Sequence, residues 1–222
     1  MEKKETKRTA ILVDGGYYRV RAKALWGKKR AADRAKELYD YCMLHISEPD
    51  EPRDLYRLFY YDCPGMTREL EHPLTHVVTD FSKGSGTVWT KDFFKELCKM
   101  RKVALRKGEL LESQARYCLK DTSLKDILSG ARDVASLTES DFSLDVKQKG
   151  VDMRIGLDVA SICTNHCANQ IILIAGDSDF LPVAKMARRS GIDFILDPLK
   201  QYVKDSLIEH VDGIECYTDL IK

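Results

Sequence analysis

Four aspartates stand where a chain can bring carboxylates together. They are Asp14 in Ile11-Leu12-Val13-Asp14-Gly15-Gly16, Asp152 in Lys149-Gly150-Val151-Asp152, and Asp177 and Asp179 in Ala175-Gly176-Asp177-Ser178-Asp179-Phe180. Carboxylates crowded at one place raise one another's pKa unless a cation sits among them. An all-oxygen set without His or Cys suits Mg²⁺ or Mn²⁺ rather than Zn²⁺. Such ions activate water and stabilise a departing oxygen, which is the chemistry of phosphodiester hydrolysis. Taken singly, each Asp also has an ordinary reading, because strand ends and helix N-caps favour a side chain that accepts orphan N–H bonds and suits the helix dipole. Asp158 rivals Asp152 beside the apolar stripe of Ile155, Val159 and Ile162. At 1.5 Å per residue it lies roughly 9 Å further along the helix, so Asp152 ranks first.

The elements that must position these side chains are legible as apolar runs. Ile171-Ile172-Leu173-Ile174-Ala175 reads as a strand buried on both faces, since a half-exposed strand would alternate with polar residues. Thr9 to Val13, Leu55 to Tyr61, Val103 to Arg106, Ile192 to Leu196 and a short Ile214 to Cys216 read as further strands. Helices are expected over Tyr17 to Gly27, Ala31 to Ile46, the segment after Asp152, the segment after Asp179 and Val203 to His210. Asp179 is the natural N-cap of its helix, with Pro182 tolerated in the first turn. Residues 66 to 102 read as helix in two pieces around Lys83-Gly84-Ser85-Gly86, which lacks the spacing of a P-loop. Residues 109 to 140 read as a helical or loop insertion at the sheet edge. Phe142, Leu144 and Val146 alternate as a half-buried strand, Pro49 to Pro52 is a turn, and residues 1 to 8 a frayed terminus.

Strands alternating with helices imply a parallel sheet with helices on both faces, a three-layer α/β/α sandwich. Asp14 and Asp177 then end strands while Asp152 and Asp179 begin helices. All four should converge on the carboxyl rim, where open α/β sheets place their ligands.

Composition sets the bounds. A chain of 222 residues with 44% hydrophobic content can bury one substantial core, so residues 1 to 222 are expected to form a single domain. The formal charge of +1, from 36 basic and 35 acidic residues, excludes a uniformly basic nucleic-acid binder but not a basic groove beside an acidic pocket. Seven cysteines with no CxxC pair suit a reducing compartment. Met1-Glu2-Lys3-Lys4 has no signal-peptide core, and no apolar run approaches membrane-spanning length. The expectation is a cytoplasmic protein without a membrane partner.

Secondary candidates surround the four carboxylates. Arg19, Arg21, Lys23, Lys28, Lys29 and Arg30 form a basic stretch that is either a solvated helix face or a phosphate track. Lys149, Ser178 and Lys185 (the last beside Arg188 and Arg189) are candidate nucleic-acid contacts, as are the basic residues between Lys99 and Lys107. Tyr17 or Tyr18 could stack on a base. Cys163, His166 and Cys167 look metal-like but lack a second ligand pair, and His72 and His76 lack the Glu of a His-Glu-x-x-His site.

The three blocks around Asp14, Asp152 and Asp177 together resemble a NYN domain of the LabA/DUF88 type, a branch of the PIN-like nuclease superfamily, in the family's order. Lys-Gly-Val-Asp followed by Gly-Asp-Ser-Asp is the specific part of the match. The resemblance implies an α/β/α fold and a metal-dependent ribonuclease site carried by Asp14, Asp152, Asp177 and Asp179 with Mg²⁺ or Mn²⁺. Many members have Asn three residues after the first Asp, where this chain has Tyr17. The expected activity is hydrolysis of RNA by a water nucleophile. The alternatives are a non-cleaving nucleic-acid-binding or assembly module and a DNA-cleaving nuclease of a defence or toxin system. A homo-oligomer or larger complex stays open.

Overall fold

A computed structural model describes residues 5–48 and 51–221. Residues 1 to 4 of the expected frayed terminus, and two residues of the turn expected at 49 to 52, lie outside the described residues. The chain opens with β1 (Lys7–Asp14), α1 (Gly15–Trp26), α2 (Ala31–Ile46) and β2 (Arg53–Asp62). A hairpin of β3 (Glu69–Glu71) and β4 (Val78–Asp80) precedes α3 (Ser85–Cys98) and β5 (Val103–Lys107). An excursion follows, with β6 (Glu109–Leu110), β7 (Arg116–Leu119), α4 (Asp121–Leu128), β8 (Phe142–Asp145) and β9 (Gln148–Lys149). The chain then returns through α5 (Val151–Asn165), β10 (Gln170–Ile174), α6 (Leu181–Arg189), β11 (Asp193–Asp197), α7 (Asp205–Ile208) and β12 (Gly213–Ile214).

Six strands form one parallel sheet in the order β12-β11-β10-β1-β2-β5. The apolar runs occupy its centre because both faces are covered. Ala10, Leu12, Ile171, Leu173, Phe194 and Leu196 pack on one side against Ile155, Val159 and Ile162 of α5 and Ala184 and Ala187 of α6. Ile11, Val13, Leu58, Tyr60, Ile172 and Ile174 pack on the other against α1, α2 and α3. The three-layer α/β/α arrangement is the one the alternation of elements implies. Each fully buried Leu or Ile contributes about 1.5–3 kcal/mol, and all five residues of β10 are buried. Among the described residues no helix is long and apolar enough to cross a membrane.

The chain leaves β1 toward β2 and β5, then crosses back to β10, β11 and β12 on the other side. The boundary between β1 and β10 is therefore the topological switch point, the place where open α/β sheets bind their ligands. Val13 pairs with Ile174 there, so Asp14 is level with the start of the Ala175-Gly176-Asp177 turn.

Two expected elements differ, and one expected strand is paired outside the main sheet. Residues 69–80 are a hairpin, not a helix. Pro73 lacks the N–H that a helix interior needs, Val77, Val78 and Thr79 are β-branched, and His76 closes the turn at φ 56°. The alternating stretch at residue 142 is a strand, but it pairs antiparallel with β7 inside the excursion, not with the main sheet. The last helix shrinks to Asp205–Ile208, and beyond it the Asp212 N–H donates to the Phe194 carbonyl.

Candidate active site

Each carboxylate reaches the rim by a local device. Asp14 ends β1 and caps α1, accepting the Tyr17 N–H at 3.1 Å. The turn after it is tight: a Cβ on Gly15 would come within 2.5 Å of the Tyr60 ring and the Tyr61 carbonyl. Asp152 lies in the first turn of α5, exposed, after Gly150 in the left-handed conformation at φ 83°. Asp177, and not Asp179, is the cap after β10. Its Oδ1 accepts the Asp179 N–H at 3.0 Å, one turn of 3₁₀ helix intervenes, and α6 begins at Leu181. A cap one turn earlier leaves the Asp179 carboxylate exposed.

Electrostatics tie these groups together. The Asp14 carboxyl is pushed up to about 6, first by burial and then, against the Tyr17 N–H bond, by the charges of Asp152 and Asp62. Asp152 is raised by desolvation and then by Asp177 and Asp179. Asp152 is thus the middle of the set, acting on Asp14 on one side and acted on by the Asp177 turn on the other. Among the described residues, however, no three His, Cys, Asp or Glu side chains stand close enough to ligate one ion as they are.

Asp62 is a member that sequence reasoning missed. Asp62-Cys63-Pro64-Gly65 reads only as the end of a strand, but β2 is β1's neighbour and Asp14 pairs with Tyr61. Asp62 is 2% exposed. It accepts from Arg19 Nη1 at 3.2 Å, the Tyr60 hydroxyl at 3.1 Å and the Cys63 N–H at 2.8 Å. Arg154, two residues after Asp152, is the second. Its Nε is buried with no hydrogen-bond partner among the described residues, and nothing in Met153-Arg154-Ile155 signals that locally.

The secondary candidates divide. Arg19 joins the rim through Asp62, and Lys149 is exposed on β9 just before Asp152. Ser178 Oγ accepts from Lys204 at 3.4 Å. Tyr17 and Arg21 tie α1 to the loop after β11: the Tyr17 hydroxyl donates to the Pro198 carbonyl, and the Arg21 guanidinium reaches the Leu199 carbonyl at 2.8 Å. Lys185 lines a groove with Lys7, Arg189 and Asp193 at the opposite, amino-terminal edge of the sheet. In the segment from 99 to 107, Lys99 pairs with Glu96 at 2.7 Å, and Lys102 donates to the Leu55 carbonyl. Arg106 binds Asp158 at 2.8 Å, and Asp158 also accepts from the Tyr61 hydroxyl at 2.9 Å. His166 is the left-handed C-cap of α5, and His72 packs between Tyr117 and Phe142.

The Tyr17 ring leaves no room at the β10 turn, since a Cβ on Gly176 would overlap it. Gly176→Ala is expected to cost about 1–3 kcal/mol by overpacking, read as a lower urea midpoint. An unchanged midpoint would show that the ring yields freely.

The NYN domain family matches residues 82–214. The chain belongs to the NYN family. This NYN domain is therefore a member of a nuclease-related family whose domains typically act on nucleic acids and whose PIN-like nucleases generally use divalent metals. The match includes Asp152, Asp177 and Asp179 but begins after Asp14 and Asp62. A solved structure of a Vibrio parahaemolyticus protein of unknown function is similar over 97% of this chain and 96% of that one, with a TM-score of 0.50 and 12% identity. That likeness concerns the fold alone. No curated protein matches the chain.

Proposed function

We propose that this NYN domain is a metal-dependent endoribonuclease. Asp14, Asp152 and Asp177 hold Mg²⁺ or Mn²⁺, and Asp179 completes the site as a ligand or orients the attacking water. The observation that carries this reading is the linked rise of Asp14 and Asp152, each pushed up in part by other carboxylates at the switch point. A cation among them relieves that repulsion, and the donor set is all oxygen, as hard divalent ions require. Among the described residues no three of these groups stand close enough to ligate one ion as they are, and Mg²⁺, which keeps several waters, needs only one or two protein carboxylates plus substrate phosphate oxygens.

When bound, the ion supplies an activated water and charge stabilisation for the departing oxygen. The chain's own residues do the rest. Asp62, locked by three donors, fixes the Arg19 guanidinium beside the rim. The Nε of Arg154, without a partner among the described residues, is a donor whose need a phosphate oxygen would meet. Lys149 adds positive charge where the strand would leave the site. A carboxylate site of this kind acts on the phosphate and not the sugar, so DNA is the competing substrate.

The test is cleavage of labelled RNA, with DNA in parallel, in Mn²⁺, Mg²⁺ or EDTA. RNA cleavage is expected with either metal, lost in EDTA, and reduced by a factor of 100 or more in Asp177→Asn or Asp152→Asn. Metal-dependent cleavage that both substitutions leave untouched would refute the site. Binding without any cleavage would favour a non-cleaving module.

A further inference from the structure

The geometry points to the groove between α1 and α3 as the binding track for a single strand of nucleic acid, running from Asp62 at the carboxylate rim out past Trp89. This deepens the nuclease reading and rests on it. The groove encloses about 720 Å³, within the size range of built ligand pockets. Gln148, from the end of the excursion, lines it as well, so the inserted segment contributes to its wall.

Its charge is placed for a phosphate backbone. Of the cations along it, Lys29 and Arg34 share the buried Glu37, and Arg19 is paired with Asp62. Lys23 and Lys28 make no ion pair among the described residues, and they carry the free positive charge. The first-turn N–H groups of α3 open on the same groove at Ser85 and Gly86, with no side chain capping them. They add the positive end of a 14-residue helix.

Its aromatic content is placed for bases. Trp89 is fixed by its Nε1–H, which donates to the Lys29 carbonyl at 3.0 Å. One face of its ring stacks on Phe93, with centroids 5.0 Å apart and planes 10° from parallel. The Arg19 guanidinium lies 5.1 Å from the Trp89 ring centroid. The Arg19 guanidinium, also tethered to the rim through Asp62, and the Trp89 ring thus lie side by side on the groove wall. Guanidinium planes and aromatic rings are the surfaces on which unstacked bases lie. A base inside a duplex has both faces covered by its neighbours and cannot use such a platform, which selects a single strand.

The decisive measurement is anisotropy of a labelled single-stranded oligoribonucleotide, and of the same sequence as a blunt duplex, on the full chain in EDTA, so that binding is read without cleavage. The single strand is expected to bind at least tenfold more tightly than the duplex. Lys23→Glu with Lys28→Glu, both on exposed side chains, should weaken it tenfold or more and flatten the salt dependence by about two phosphates. Arg19→Lys, which keeps the charge and removes the plane, should narrow the preference for single strands. Equal affinity for duplex and single strand, or wild-type binding by the double variant, would overturn the groove. Metal-dependent cleavage with unchanged KM in the double variant overturns the groove and keeps the nuclease. Strand binding through these lysines with RNA left intact in Mn²⁺ keeps the groove and removes the nuclease.

Discussion

Asp14→Asn is expected to abolish metal-dependent cleavage and at the same time make the metal-free protein more stable at neutral pH. The carboxyl is raised from the ordinary value of 3.8 to about 6, by burial first and by Asp152 and Asp62 after it. A raised acid works against folding when charged: the cost is full above about 6, shrinks as pH falls toward 3.8, and vanishes below it. At pH 7 it amounts to roughly 2–3 kcal/mol. An Asn at this position removes the charge and still accepts the Tyr17 N–H that caps α1. Urea melts of both proteins in EDTA at pH 7 and pH 4 check this. The variant should lead at pH 7 and lose that lead at pH 4. On the proposed reading, Mn²⁺ should then stabilise the wild type and not the variant. A variant less stable than the wild type at pH 7 would mean that Asp14 already has a compensating partner.

The second large effect concerns Asp197, which ends β11 and so resembles Asp14 and Asp62 in position. Its side chain is fully buried, and it accepts from the Tyr41 hydroxyl at 2.5 Å, from His45 Nε2 at 2.8 Å and from the Leu199 N–H at 2.8 Å. His45 Nδ1 lies 3.5 Å from Glu215, which Arg53 also grips at 2.7 Å. This knot fastens the end of the chain to α2. Asp197→Ala leaves buried donors without an acceptor and is expected to cost about 3–5 kcal/mol.

The pH dependence of that knot follows from His45. Burial alone would lower its pKa, but the bonds to Asp197 and Glu215 outweigh burial and raise it. The stability from a raised His is complete below the unfolded value of 6.5 and is lost as pH climbs through the folded value. Denaturant melts between pH 6 and pH 9 should show an alkaline decline in the wild type that is absent from Asp197→Ala. A variant that melts like the wild type would show the knot to be dispensable.

Asp14, Asp62 and Asp197 show how far local sequence reaches. Each is an Asp at the carboxyl end of a strand of the same parallel sheet. Asp14 feels the other carboxylates, Asp62 is held by Arg19 from α1, and Asp197 turns into the core toward His45, 152 positions away in the chain. Their local contexts differ little, because what separates them is the partner each meets across the sheet. The basic residues behave alike: Arg21 and Lys102 are occupied by backbone carbonyls, whereas Lys23 and Lys28 are exposed and make no ion pair among the described residues.

The amino-acid order by itself determined the run of strands and helices and the blocks that mark the family. Apolar periodicity is a short-range property, and a strand buried on both faces writes it plainly, as in Ile171 to Ala175. Only the tertiary structure decided which strand ends neighbour one another and which charges are held by partners. Those outcomes depend on contacts between segments far apart in the chain, and such contacts leave no period in the sequence.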